Sequence, residues 1–480
     1  MLYQFRHGAG EIANRRGIVP CRPCNGSRFA EIGVFTGGIG GLVGLVFYLA
    51  TLLVLLAACG AAEREELQSV SIVVTNGIVT DGTGADPITD GLVAIQGNRI
   101  VAVGQSTDFK VPEEADVIDA AGGTILPGVF NAHAHYTTAS SRRDSFLLDG
   151  ITSVCDLGTS LRRMQEFDRE EIQSGPAARG FKAGPIVTAP GGYPGPIHGS
   201  HLSYEIQGVD EAENAVRDLH TRGADFIKVA LEPGFDDDTL PMITIEELRS
   251  VVATAHDNDL LVRAHVNKSD LLDMALEAGV DVIEHVPMPS DSCENLEAML
   301  DDDGKYRIPS RLEAQMLRMI EQGVVLVPTL DALTNDIFLL NYVKSEPEHF
   351  TQAVLTVVRF FHDSGGIIAV GNDYGFPGVH PGMPLHEMEL LQAAGLSPLE
   401  VIEAGTKHAA YVCGQGDELG TLEKGKLADL IVVDGNTLED INAMDSVLYV
   451  VKDGELVLSP SRAPSDTQNG LTLIALHSAG

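Results

Sequence analysis

One feature constrains the chain more than any other: a regular alternation of short apolar runs with helix-like stretches over residues 124–413. Eight strand candidates are read in order, ILPGVFNAH, ITSVCDL, PIVTAP, DFIKVAL, LLVRAHV, VDVIEHV, VVLVPTL and GIIAVGND. Between them lie amphipathic stretches such as TIEELRSVVATAHDND and SRLEAQMLRMIEQ. Strands that alternate with helical patterns predict βα units and a parallel sheet. Eight units in this length predict the α/β class and a (β/α)8 TIM barrel, a fold of roughly 250 residues.

The flanks read differently. Residues 70–104 hold short β-branched runs separated by Asn-Gly, Asp-Gly and Gly-Asn pairs, which are turn signals. A similar block returns as GKLADLIVVDGN and SVLYVVKDGELVL near the end. The two blocks, 67–123 and 414–460, are expected to pair into one small β-sandwich beside a barrel over 124–413. Residues 461–480 read as a loose tail.

Residues 42–58 form a long uncharged apolar run that ends at Cys59, behind Arg15, Arg16, Arg22 and Arg28. The stretch Leu56-Ala57-Ala58-Cys59 resembles a bacterial lipoprotein signal. Residues 1–58 are therefore expected to be a signal or anchor segment, with the mature protein held at the cell envelope through a lipidated Cys59. Cys21 and Cys24 fall in that segment, and Cys155, Cys293 and Cys413 form an odd set with no disulfide framework. The chain carries 32 basic and 68 acidic residues, a formal charge of −36. Such acidity argues against nucleic acid as a partner, since a phosphate backbone would be repelled. It also suits a medium of high salt, in which self-repulsion is screened. The partner expected is a small-molecule substrate, and a homo-oligomer is compatible with the sequence.

Chemistry-bearing residues sit at the ends of the strand candidates. His133 and His135 are two apart, so on a regular strand both imidazoles share a face and can reach one ion. Lys228 lies in phase with Phe226 and Ala230, while Ile227 and Val229 face the other way. His265, His285 and Asp373 close their own strands. Active sites of (β/α)8 barrels form where the C-terminal strand ends meet, so these residues converge on one pit.

Together with Leu126-Pro127-Gly128, Asn131-Ala132-His133-Ala134-His135, Ile227-Lys228, Ala264-His265, Ile283-Glu284-His285, Gly371-Asn372-Asp373 and the Gly420–Leu430 block, they carry a resemblance. The chain resembles the amidohydrolase superfamily, in its imidazolonepropionase-like and prolidase-like branch. The resemblance implies two divalent metal ions, usually Zn²⁺. His133, His135 and Asp373 would hold one and His265 and His285 the other, with Lys228 bridging both as a carboxylated lysine. It further implies hydrolysis of an amide C–N bond by metal-activated hydroxide, with Asp373 as general base and acid and His285 beside it in catalysis. The substrate expected is an Xaa-Pro-type dipeptide or an N-acyl amino acid. The alternatives are a cyclic amide, as in imidazolonepropionases, and an inactive binding protein of the envelope.

Where prolidase-like members carry a small Gly-rich loop after the lysine strand, this chain has Ala230-Leu231-Glu232-Pro233-Gly234 and then Asp236-Asp237-Asp238. That departure weakens the dipeptidase assignment. The loop GGYPGPIHGSH, residues 191–201, offers Tyr193, His198 and His201 as substrate contacts. Tyr136 is out of phase with the histidine pair and is expected to pack outward. Arg263 points inward in phase with His265, and Asp281 is its expected carboxylate partner.

Overall fold

Strand formation follows the β-branched runs. In the computed structural model, which describes residues 64–173, 177–234, 239–290, 292, 296–460 and 471–473, the chain divides into two units. One comprises residues 1–66 and 107–110, the other 67–106 and 111–480. In the first, Glu65–Glu66 runs parallel to Phe109–Lys110, and Lys110 Nζ lies 3.0 Å from Glu66. The signal or anchor segment 1–58, Cys59, Cys293, Asp236–Asp238 and most of the tail lie outside the described residues. Among the described residues, no helix is long and apolar enough to cross a membrane.

The second unit begins with β1 (Ile72–Val79), β2 (Ile88–Gln96), β3 (Arg99–Gln105), β4 (Asp116–Asp119) and β5 (Thr124–Pro127). Gly97, at φ +57°, turns β2 into β3. Asn76-Gly77 reads as a turn in the sequence but is a register shift inside β1. Asn76 takes φ +60°, and a Cβ on Gly77 would come within 2.8 Å of Ala120 Cβ and Gly123 O. Close backbone approach, rather than reversal, is what this glycine supplies.

Next come the parallel strands β6 (Val129–Ala134), β7 (Ile151–Asp156), β8 (Arg179–Lys182), β9 (Ile186–Thr188), β10 (Ser203–Glu205), β11 (Ile227–Ala230), β12 (Val262–His265), β13 (Val282–Glu284) and β14 (Val325–Val327). They form a three-stranded sheet, β8-β7-β6, and a six-stranded sheet, β10-β9-β11-β12-β13-β14. Two departures from the expected eight runs stand out. The third run, PIVTAP, forms β9, and a strand outside the expected eight, β8, precedes it across Ala183-Gly184-Pro185. The eighth, GIIAVGND, is an extended segment held by single bridges, Leu326 to Ile368 on one side and Ala134 to Tyr374 on the other. It keeps backbone bonds on both sides, from Ala132 N of β6 to Val370 O at 3.0 Å and from Leu326 N of β14 to Ile367 O at 3.0 Å.

Side-chain parity sorts the apolar residues of these strands into two clusters. Ile227, Val229, Val262, Ala264, Ile283 and Leu326 pack with helices such as Ile245–His256, whose Thr244–Glu247 capping box fixes its start. Phe130, Phe226, Val282, Val325 and Ala369 face a separate inner cluster, joined by the helix Ala409–Val412. In that cluster Cys155 and Cys413 are bonded as a disulfide, which corrects the expectation of cysteines without a framework. The pairing depends on proximity across 258 residues, which spacing along the chain does not reveal.

The C-terminal strands β15 (Leu430–Val433), β16 (Val447–Lys452), β17 (Glu455–Pro460) and β18 (Leu471–Leu473) return to the first sheet. β15 pairs antiparallel with β5, Leu430 against Pro127 through Val433 against Thr124. The two flanking blocks therefore do meet, but as one nine-stranded mixed sheet, β18-β17-β16-β15-β5-β1-β2-β3 with β4 beside β1, where a sandwich was expected.

Candidate metal centre

The site is assembled from strand ends. β6 slips register against β7 between Asn131 and Ala134, so His133 turns inward although Phe130 and Ala132 already do. His133 Nε2 lies 3.5 Å and His135 Nε2 3.2 Å from Asp373 Oδ1. One ligand atom from each of the three falls within 4.8 Å of the others. Asp373 and His285 reach the site from left-handed backbone, at φ +58° and +70°. Such conformations are rare for residues with a side chain and cluster where function over-determines geometry. His285 Nε2 faces His265 Nδ1 at 2.9 Å, and the rings of His133 and His285 are 5.0 Å apart. Lys228 is almost fully buried, and its Nζ has no hydrogen-bond partner.

Three of the four histidines are oriented from behind. His133 Nδ1 donates to Glu284 Oε2 at 2.6 Å, and His285 Nδ1 bonds Thr329 Oγ1 at 2.7 Å. His265 Nε2 faces Asn267 Nδ2 at 2.9 Å and Glu232 Oε2 at 3.5 Å. Outer partners of this kind fix the tautomer and aim the free nitrogen at an ion. Glu284, Thr329 and Glu232 were not singled out as functional in the sequence. Glu284 carried a signal all the same: a carboxylate in phase with Val282 on an otherwise apolar strand must face inward. Arg263 also faces inward, but its partner is Glu284 at 2.6 Å. Asp281, the expected partner, instead bonds His256 Nε2 and the Val262 amide. Parity decides this, because Asp281 lies on the opposite face of its strand from Glu284.

Electrostatics favours the ligating form at every donor but His135. Burial lowers His133 to about 4, outweighing Asp373 and Glu284. Burial likewise lowers His265 and takes His285 well down, the latter helped by its histidine neighbours. For His135 burial pushes down, but the Asp373 carboxylate outweighs it and the value rises. Burial would raise Asp373, yet His133 and His135 hold it well below the usual carboxylate range. Burial lowers the Lys228 amine to about 8, against the pull of Glu284. Three imidazoles held toward the neutral form, an ionised carboxylate and an orphaned buried amine suit divalent ions of intermediate softness, and at His135, which Asp373 biases toward protonation, an ion must displace the proton.

The loop residues divide. The Tyr193 ring lies 4.7 Å from that of His265 and 5.6 Å from that of His198. Burial raises the Tyr193 hydroxyl, and the negative charges of Asp373 and Glu232 add to it. His198 ends the short helix Gly195–His198 and is exposed. His201 is exposed on the next turn and makes no hydrogen bond to the cluster among the described residues. Tyr136 does not pack outward among the helices. At φ +58° it stands 46% exposed, its ring 6.3 Å from that of His135.

The Amidohydrolase family model matches residues 124–457, and the chain belongs to that family, whose members hydrolyse carbon–nitrogen bonds. It is 24% identical over 437 residues to an imidazolonepropionase of Haloarcula marismortui, covering 82% of this chain and 96% of that one. It is 28% identical over 274 residues to an ochratoxinase of Aspergillus niger, about half of each chain. Among solved structures, a putative prolidase of Bifidobacterium longum is similar at TM-score 0.65 and 26% identity, covering 80% of this chain and 94% of that one. A Xaa-Pro dipeptidase with methionine in its active site is similar at TM-score 0.64 and 25% identity, covering 80% and 99%. The protein is thus a C–N hydrolase with a TIM-barrel-like α/β fold.

Proposed function

We propose that this chain is a two-metal amidohydrolase that cleaves the amide bond of an Xaa-Pro-type dipeptide or an N-acyl amino acid. The observation that carries the reading is Lys228. A buried amine with no partner, lowered to about 8 and set among four histidines and an aspartate, is the group a bridging carbamate requires. His133, His135 and Asp373 would hold one ion, His265 and His285 the other, and carboxylated Lys228 both. Zinc suits these ligands. When bound, the ions supply an activated water and a Lewis acid for the substrate carbonyl.

This chain's own residues do the rest. Asp373, held ionised, takes a proton at its carboxylate and returns it to the leaving nitrogen. His285, fixed by Thr329, keeps its Nε2 directed into the site. Tyr193, protonated over His265, offers a hydroxyl to the substrate, with His198 beside it. The prolidase-like structural neighbours support a dipeptide, whereas the imidazolonepropionase relative supports a cyclic amide. Lys228 favours the former, because a site for a single ion needs no bridge. Glu232, buried at the side chain, makes that flank unwelcoming to a substrate carboxylate.

The barrel over 124–413, the composite 67–123 and 414–460, the segment 1–58 and the tail 461–480 remain the proposed organisation. Anchoring to the envelope through Cys59 is supported by Leu56-Ala57-Ala58-Cys59. The Cys155–Cys413 disulfide adds support, since such bonds persist in oxidising compartments. Metal-loaded protein should be screened against dipeptide, N-acyl amino acid and cyclic amide libraries. Turnover confined to cyclic amides would reverse the substrate assignment.

A further inference from the structure

Behind His133, a chain of buried contacts leads away from the metal centre to the Cys155–Cys413 disulfide. The helix Ala409–Val412 packs in the inner apolar cluster with Phe130, Cys155 and Phe226. Its C-cap residue, Cys413, is cross-linked to Cys155 of β7. The Val412 carbonyl, which a helix end leaves without an intrahelical donor, accepts from Arg263 Nη1 at 3.2 Å. The same guanidinium donates through Nη2 to Ala132 O at 2.7 Å and through Nε to Glu284 Oε1 at 2.6 Å. Ala132 immediately precedes His133, and the other oxygen of Glu284 accepts from His133 Nδ1 at 2.6 Å. Arg263 and Glu284 are fully buried.

A guanidinium is a rigid planar fork, so its three arms cannot be repositioned independently. Arg263 therefore ties three things into one geometry: the end of the helix Ala409–Val412, the backbone of β6 and the carboxylate that orients His133. Net stability is a weak reason for such an arrangement, because a buried ion pair is often replaceable by apolar side chains at no loss. Setting the aim of a histidine is a better one. Ala409–Val412 is the last turn of a continuous helical stretch that starts at Pro398 and passes through a π segment at Ala404–His408, and Gly414 at φ +73° ends it; the cross-link adds a covalent tie at that end.

We propose that Arg263 and Glu284 are positioning residues for His133, and that the Cys155–Cys413 disulfide holds them in register by fixing the helix Ala409–Val412. Retention of metal at His133, His135 and Asp373 is thereby coupled to closure of the disulfide. The inference rests on the metal-centre reading above. Coupling is reciprocal, so metal also favours the cross-linked form, and full loading follows disulfide formation.

The test is a double-mutant cycle read by metal affinity, in competition with a chelator, on folded protein loaded with Co²⁺. The absorption spectrum of the bound Co²⁺ provides a second readout. Wild type, C155A/C413A, Arg263→Lys and the combination are compared. Loss of an outer-shell partner weakens metal binding by about 10–100-fold. Arg263→Lys should fall in that range with an altered Co²⁺ spectrum, and C155A/C413A should weaken binding about tenfold. The combination should be no worse than Arg263→Lys alone, since both act through the same contacts. Wild-type affinity in either variant, or losses that multiply, would overturn the inference. If the cysteine variant does not fold, wild-type protein whose Cys155–Cys413 bond is reduced in the folded state takes its place in the cycle, and unchanged affinity after reduction would overturn the coupling. A wild-type chain that binds no Co²⁺ would refute the metal-centre reading itself.

Discussion

At the residue scale, the tasks proposed for Lys228 and Asp373 differ, and substitution separates them. Lys228→Ala removes the bridge and should lose metal along with activity. Asp373→Asn should retain metal while turnover falls by about 10²–10⁴-fold, the usual contribution of a proton-transfer group. Metal content and kcat measured on the same samples check both, and full turnover in Asp373→Asn would end its assignment as the proton carrier.

Glu387 makes a second residue-scale prediction. It is fully buried, and burial raises its carboxyl to about 8 although the Asp331 and Leu330 amides pull it down. In the unfolded chain it ionises near the ordinary glutamate value, about 4.3. Between those values the folded state holds one more proton than the unfolded state, so stability must fall as pH rises through that window. Glu387→Gln should flatten the fall. Melting temperatures at pH 5.5 and 8.5 measure it, and an unchanged slope would contradict it.

The six proposed ligands were legible because five stand at or beside the ends of strand candidates, and Lys228 is the lysine in an otherwise apolar one. Glu284 and Thr329 were less so. Their meaning depends on which ring nitrogen they meet, and that is set by the pairing of β12, β13 and β14.

At the scale of elements, strands with regular parity were readable and interrupted ones were not. The inward set Phe226, Lys228 and Ala230 followed from alternation alone. The extra strand β8, the register slip that turns His133 inward and the bulge at Asn76-Gly77 each depend on a neighbouring strand. The segment carrying Asp373 shows how tight that dependence is. A Cβ on Gly371 would lie 2.6 Å from His133 N and 2.8 Å from His133 Cβ. Gly371→Ala must therefore push this segment away from β6. We expect it to cost about 1–3 kcal/mol of stability, as overpacking does, and to weaken metal binding at least tenfold. Denaturant unfolding and chelator competition report the two effects, and wild-type metal affinity would show that the approach of these strands does not set the site.

At the scale of the whole molecule, the ends of the chain meet in one sheet, as their turn-rich, β-branched blocks suggested. A single continuous sheet in place of a sandwich was not foreseeable, because the choice depends on β5 bridging β1 and β15. The disulfide was hidden for the same reason of distance along the chain. The net charge of −36 belongs to this scale too. Self-repulsion at that charge should relax as salt shortens the screening length from about 10 Å at 0.1 M to about 3 Å at 1 M. Melting temperature is expected to rise over that range, and a maximum at low salt would show that repulsion does not limit this fold.

The central claim is that four histidines, Lys228 and Asp373 close around a pair of cations. Elemental analysis of the folded, disulfide-intact protein after loading with zinc and bicarbonate tests it most directly. About two ions per chain are expected, the number a bridged site holds, with fewer in Lys228→Ala. A single ion, or two that are indifferent to Lys228, would contradict it.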